Sequence, residues 1–224
     1  MNDTMIHFQD VSKHYDNHTA LRKITCFIEK GEMIFITGPS GSGKSTFLKL
    51  IYLAERTDEG TVRVADWELH KLRESSIPLL RRKIGIVFQD FRLLYSRNVF
   101  ENVALALRIR GVDNREIKPR VFDALKTVSL RHKTDNFPHA LSGGEQQRVA
   151  IARAIVSEPT IILADEPTGN VDPDASAGII RAFKDVNAKG ATILIATHDR
   201  ELFINTGKRV LKLDFGNSAG EELG

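Results

Sequence analysis

The 224-residue sequence holds one cysteine, Cys26, so no disulfide can close within the chain. Its place in the alternating run Leu21-Arg22-Lys23-Ile24-Thr25-Cys26-Phe27-Ile28 points to simple burial. No apolar run approaches the roughly 18–20 residues that a membrane-spanning helix needs. Action at a membrane would therefore require another chain to supply the span. Excess charge is scarce as well: 32 basic residues against 29 acidic leave +3, so a pI near 9.0 gives little reason to expect a nucleic-acid surface. The opening Met1-Asn2-Asp3-Thr4 lacks the basic flank and apolar stretch of a secretory signal, and cytosolic residence is expected. No internal repeat is apparent. What remains, 42% hydrophobic and 27% charged residues, suits a globular chain able to bury a core as one domain or as one domain with a sub-lobe.

Met33-Ile34-Phe35-Ile36-Thr37 is a short apolar run that ends at a glycine-rich stretch, the pattern of a buried strand feeding a helix near Gly43. Ile84 to Phe88, Thr160 to Ala164 and Ala191 to Ala196 are similar runs, as parallel strands covered by helices on both faces require. Leu21 to Ile28 and Thr61 to Val64 alternate instead and predict a small antiparallel sheet. Between Asp90 and about Pro159 strand signals vanish, and Asn98 to Arg110 and Arg115 to Leu130 show helical spacing. The expectation is an α/β fold in a single domain, residues 1–224, with a parallel-sheet core from 1–89 and 160–214 and a small antiparallel β subdomain. A helical subdomain at about 90–159 and a mobile polar tail at 215–224 complete it.

Gly38-Pro39-Ser40-Gly41-Ser42-Gly43-Lys44-Ser45-Thr46 fits the phosphate-loop pattern, a glycine, four free positions, then Gly-Lys-Ser. Small residues let successive backbone N–H groups converge on phosphate oxygens, and the following helix adds its positive end. Lys44 is placed to reach the β- and γ-phosphates and the Ser45 hydroxyl to ligate Mg²⁺. The apolar strand Ile161-Ile162-Leu163-Ala164 ends in Asp165-Glu166, where Asp165 can hold the ion largely through water and Glu166 can take a proton from, or orient, an attacking water. A second glycine run, Leu141-Ser142-Gly143-Gly144-Glu145-Gln146-Gln147, opens an amphipathic helix bearing Val149, Ile151, Ala152, Ala154, Ile155 and Val156. It is a spare anion-binding helix end, because this chain's own loop already encloses its phosphates, and it points to an ATPase that works by pairing with a second copy.

Asp165-Glu166-Pro167-Thr168-Gly169-Asn170, the Leu141-to-Arg148 run and the phosphate loop together resemble the ATP-binding-cassette ATPases over essentially the whole chain. The resemblance implies a RecA-like phosphate-loop core and adds roles to residues that are otherwise plain. Gln89 after Ile86-Val87-Phe88 would approach the metal and the water; His198 after Ile195-Ala196-Thr197 would contact the γ-phosphate. Tyr15, 29 positions before Lys44, would stack on adenine, although packing on the small sheet is the plain alternative. Ser142, Gly143, Gly144 and Gln146 would cap the ATP of the opposing subunit in a homodimer, and Asp172 would contact across its interface. Val171 stands where the family often has Leu.

From Asp90 to Lys133 there are ten Lys/Arg and five Asp/Glu, either a solvated helical face or a surface close to an anionic bilayer. Phe88-Gln89-Asp90-Phe91-Arg92-Leu93-Leu94-Tyr95-Ser96-Arg97-Asn98-Val99, then Asn102-Val103-Ala104-Leu105, resembles the bacterial cell-division members of the family, with Asn98 in place of an expected Thr. That likeness implies a polytopic membrane protein docking near residues 89–103, a peripheral position on the cytoplasmic face of the inner membrane, and no nucleic-acid partner. Lipoprotein-release and macrolide-export ATPases share the Asp-Glu-Pro-Thr-Gly-Asn run, so a transporter motor stays open. Cassette ATPases that act on DNA or ribosomes carry coiled-coil insertions, zinc modules or paired cassettes, which this chain lacks.

Overall fold

The computed structural model describes residues 3–16, 18–169, 171 and 173–224. In chain order its main elements are β1 (Thr4–Tyr15), β2 (His18–Glu29), β3 (Met33–Thr37), α1 (Lys44–Ile51), β4 (Glu59–Val64), β5 (Trp67–Glu68), α2 (Ile77–Arg81) and β6 (Ile84–Val87). They continue as α3 (Val99–Ile109), α4 (Asn114–Thr127), α5 (Gly143–Ile155), β7 (Ile161–Asp165), α6 (Pro173–Asn187), β8 (Thr192–Ala196), β9 (Arg209–Asp214) and β10 (Asn217–Leu223). The chain forms two compact units, Met1–Lys83 with Thr192–Gly224, and Ile84–Ala191.

In the first unit β1 pairs antiparallel with β2 and β4, and β4 with β5, giving the small antiparallel sheet expected from the alternating runs. Strand β1 escaped the sequence pattern because a bulge shifts its phase. Ile6 and Phe8 face inward before Asp10, at φ 50°, and Val11 faces inward after it. Beside this sheet β3 runs parallel to both β8 and β9. Phe8 of β1 stacks on Phe47 of α1 at 4.1 Å between ring centres, so the helix that follows the glycine loop is anchored to the small sheet by a buried aromatic pair. Residues 217–223, expected as a mobile tail, instead form β10, antiparallel to β9, with Lys212 and Glu222 paired at 2.5 Å. This correction has a plain cause: Asn217-Ser218-Ala219-Gly220-Glu221-Glu222 lacks apolar alternation, and such a strand is carried by main-chain bonding and by ion pairs to β9.

In the second unit β6 and β7 are parallel neighbours. Helix α5 packs so close to β6 that a Cβ on Gly85 would lie 2.5 Å from the Ala154 carbonyl oxygen, which accounts for a glycine inside a strand. The buried faces of α3 (Val99, Val103, Leu107), α4 (Ile117, Val121, Leu125) and α5 (Val149, Ala152, Ile155) follow the helical spacing read from the sequence. Helix α6 buries Ala175, Ile179, Ala182 and Phe183.

Candidate functional site

The glycine-rich loop joins β3 to α1. Its back is filled: a Cβ on Gly38 would stand 2.1 Å from the Leu213 carbonyl oxygen, and one on Gly43 2.3 Å from that of Ala20. Gly43 also sits at φ +102° as the residue before the helix, a conformation side-chain-bearing residues resist. At Gly41 the surroundings are open to 4 Å, so the loop presents one free face. The Lys44 side chain is buried, and its ammonium donates to the carbonyls of Gly38 at 2.8 Å and Pro39 at 3.1 Å. Helix α1 closes its first hydrogen bond between Phe47 N and Gly43 O, so the first-turn amides precede the helical ladder and point along the axis toward the loop. Ser45 is exposed and Ser42 buried, with no hydrogen-bond partner for the Ser42 Oγ among the described residues. A cradle packed behind, open in front and edged by a held ammonium fits a polyphosphate.

His198 belongs to the same unit and the same strand ends. Ile36 of β3 is in register with Ala196 of β8, so the chain leaves the adjacent strands at Thr37 and Thr197 on one edge. Thr197 N donates to Ile36 O at 2.9 Å and Asp199 N to Thr197 Oγ1 at 3.0 Å, which fixes the turn that exposes His198. Tyr15 ends β1, stacked on His18 with ring centres 5.8 Å apart and Lys13 Nζ 5.4 Å from its own ring centre. Its hydroxyl is enclosed, so the part of this half-buried side chain turned to solvent is the ring.

The second unit gathers the acidic and amide residues. Val87 of β6 is in register with Ala164 of β7, which puts Gln89 and Asp165-Glu166 at the same strand edge. Glu166 has φ +46°, a left-handed backbone that costs a non-glycine residue about 1–3 kcal/mol and recurs at functional sites. Gly169 N closes the turn onto Glu166 O at 3.2 Å. A Cβ on Gly169 would meet Glu166 Cβ at 3.8 Å and Gln89 Nε2 at 3.9 Å, so these three residues share one spot. Asp165 and Glu166 are half-buried and Gln89 is exposed.

The second glycine run begins α5. Ser142 is its N-cap: Ser142 Oγ accepts from Glu145 N at 3.3 Å while Glu145 Oε2 accepts from Ser142 N at 2.9 Å, a capping box. That backbone donor, with Lys133 at 3.4 Å, holds the Glu145 carboxyl below the usual glutamate range. Ser142 is exposed, whereas Gly144 is buried, where a Cβ would stand 2.9 Å from Ala175 Cβ. Gln146 donates to Leu141 O at 3.2 Å and accepts from the Tyr95 hydroxyl at 3.2 Å. Asp172 and Asn170 lie outside the described residues.

Three side chains that the sequence reading left without a role organise this unit. Gln147, fully buried on α5, donates to Pro167 O at 2.8 Å and ties the helix to the acidic turn. Arg153, also on α5, donates to Phe91 O at 2.7 Å and Arg92 O at 2.5 Å, two residues at φ 56° and 48°. Asn102 on α3 accepts from Leu94 N and donates toward Leu94, Arg97 and Asn98 carbonyls at 2.9–3.0 Å. Residues 90–98 are thereby fixed to two helices, and Tyr95, 58% exposed, is held out at their tip. Polar residues inside otherwise apolar helix stripes, Asn102 and Gln147, were the available signal.

The sequence pattern of the family described as ABC transporter matches residues 21–169. The cell division ATP-binding protein FtsE of Streptococcus pneumoniae serotype 2 (strain D39 / NCTC 7466) is 46% identical over 220 residues, 98% of this chain and 96% of that protein. Its counterpart in Escherichia coli (strain K12) is 48% identical over 217 residues, 96% of this chain and 98% of its own length. Among solved structures, an ATP-binding cassette captured as a dimer in a post-hydrolysis state with ADP and Pi superposes with a TM-score of 0.91 at 36% identity, covering 98% of both chains.

Proposed function

Because this chain belongs to the ABC transporter family, and within it to the FtsE cell division ATP-binding proteins, we propose that it hydrolyses ATP to ADP and phosphate as the engine of a membrane-coupled complex in bacterial cell division. The observation that carries this reading is the loop at 38–46, filled behind, open at Gly41 and edged by the buried Lys44 ammonium. Amides from Gly38 to Thr46 receive the phosphates, with Pro39, Ser40 and Ser42 shaping the turn and Lys44 exchanging its loop carbonyls for phosphate oxygens. The Tyr15 ring stacks on adenine, a contact worth about 1–3 kcal/mol. Mg²⁺ supplies positive charge against the β- and γ-phosphates, with Ser45, Gln89 and, partly through water, Asp165 as its protein ligands. Glu166 accepts the proton of the attacking water, Gln89 positions that water and His198 contacts the γ-phosphate.

In the ATP-bound state two copies pair, and Ser142, Gly143, Gly144 and Gln146 of one cap the γ-phosphate held by the other, with Asp172 contacting across the interface. The exposed Ser142 at a helix N-terminus supports this reading. An FtsX-like polytopic membrane protein docks near residues 89–103, where the fixed loop turns Leu94 and Tyr95 outward. The chain then sits peripherally on the cytoplasmic face of the inner membrane and transmits closure of the pair to cell-wall hydrolysis outside.

Glu166→Gln tests the engine. It retains ATP and slows cleavage by about 10²-fold or more, and gel filtration in Mg·ATP shows a trapped pair. A variant that stays monomeric and cleaves at the wild-type rate overturns the assignment.

A further inference from the structure

The second unit contains a cavity of about 620 Å³ lined by residues without a place in the nucleotide site, chiefly Asn98 and Phe100 at the start of α3, Lys118 and Phe122 on α4, and Arg131 and Asp135 beyond it. Its walls are braced by the main chain: Val99 N donates to Asn136 O at 2.9 Å and Phe100 N to Thr134 O at 3.0 Å, so the first amides of α3 bind the segment that closes the cavity. Phe100 meets Phe122 edge-on, ring centres 6.1 Å apart at 73°. Over the Phe122 ring stand both Lys118 Nζ, 5.7 Å from its centre, and Arg131 Cζ, 5.0 Å away. Neighbouring cations are neutralised, Arg120 by Glu116 and Lys133 by Glu145. Lys118 and Arg131 have no carboxylate partner among the described residues. Two positive groups are thus set over one ring, beside a preformed hollow, and among the described residues neither is ion-paired.

We propose that this cavity seats an acidic side chain, with an apolar neighbour, from the cytoplasmic segment of the membrane partner. The inference rests on the docking reading for residues 89–103, which contain Asn98 and Phe100. The Arg131 fork and the Lys118 ammonium suit a carboxylate; the edges of Phe100 and Phe122 suit an apolar group beside it. The occupant is a peptide rather than a lipid headgroup because Asp135 shares the rim. A peptide brings main-chain N–H donors for that carboxylate beside its own acidic group, whereas a bare phosphate brings no donor to offset it.

The test uses the full chain co-expressed with the polytopic membrane protein and recovered by pull-down in detergent. Lys118→Glu with Arg131→Glu lowers the retained partner at least about tenfold, Lys118→Arg with Arg131→Lys restores it, and added salt weakens the wild-type complex. Thermal melting checks the fold of the reversed variant; should it unfold, Arg131→Gln in the same assay gives a smaller loss of the same sign. Undiminished retention by a folded reversed variant, alongside a wild type that holds the partner, removes the cavity's role and leaves the docking reading intact. A wild type that retains no partner removes the docking reading itself, and the cavity's role with it. Variants that keep the partner but no longer bind vesicles containing phosphatidylglycerol assign the cavity to lipid and overturn the proposal.

Discussion

Asn102→Ala removes the side chain that ties residues 94–98 to α3, and its cost follows from the bonds it makes. Asn102 is fully buried; its Oδ1 accepts from Leu94 N at 2.8 Å, and its Nδ2 lies 3.0 Å from Leu94 O, 2.9 Å from Arg97 O and 3.0 Å from Asn98 O. An amide nitrogen has only two N–H groups to share among three carbonyls. Asn98 O keeps another donor, the Asn102 backbone N at 3.0 Å, and Leu94 O keeps the Arg97 backbone N at 3.0 Å, so both lose little. Leu94 N–H and Arg97 C=O are left without this partner, at about 1 kcal/mol each when water can replace it and more where it cannot. The sum is about 2 kcal/mol, and in a chain of this size each kcal/mol lowers the melting temperature by roughly 2–4 °C. Circular-dichroism melting should therefore show a fall of about 4–8 °C. Asn102→Asp should be no better, because it keeps the acceptor for Leu94 N but sets a carboxylate among carbonyl oxygens. An Asn102→Ala variant melting within about 2 °C of wild type would falsify the claim that this side chain holds the loop.

Lys44→Ala should weaken ATP binding by about 10- to 100-fold, since a charged donor contributes roughly 1.5–3 kcal/mol; unchanged affinity by calorimetry would count against the phosphate-loop assignment. Burial pushes the Cys26 thiol up to about 12, with Glu221 adding to the effect, so the native protein should resist Ellman's reagent at neutral pH and react on unfolding. Rapid native labelling would place Cys26 at an accessible surface. The Glu145 carboxyl is held below its ordinary range by Ser142 N–H, so its stabilisation is present above that range and is lost as pH falls through the lowered value. Urea midpoints followed from neutral to acid pH should fall less steeply for Glu145→Gln than for wild type; parallel curves would show that the Glu145 charge contributes nothing.

How much could be read from the chain differs by residue. The strand, glycine loop and helix from Met33 to Ile51 were legible because each signal is local: an apolar run, glycines where side chains would collide, then a helix. Strand β1 was hidden by the bulge near Asp10 and β10 by its polar composition, since backbone pairing leaves no side-chain pattern. The candidate site divides in the same way. Lys44, Asp165, Glu166 and the Ser142 run follow from motifs, whereas the positions of Gln147, Arg153 and Asn102 do not, because their partners are backbone carbonyls and amides.

By itself the sequence determined the class of fold, the glycine-rich loop and the start of α5, because short-range sterics and hydrophobic spacing act on neighbours. Only the tertiary structure decided that Glu166 adopts a left-handed backbone beside Gln89 and Gly169. It alone decided that Arg153 reaches back 62 residues to Phe91, and that Lys118 and Arg131 both stand over the Phe122 ring beside a cavity. Those arrangements depend on which carbonyls, rings and charges distant segments bring together when they pack, and no local periodicity encodes that.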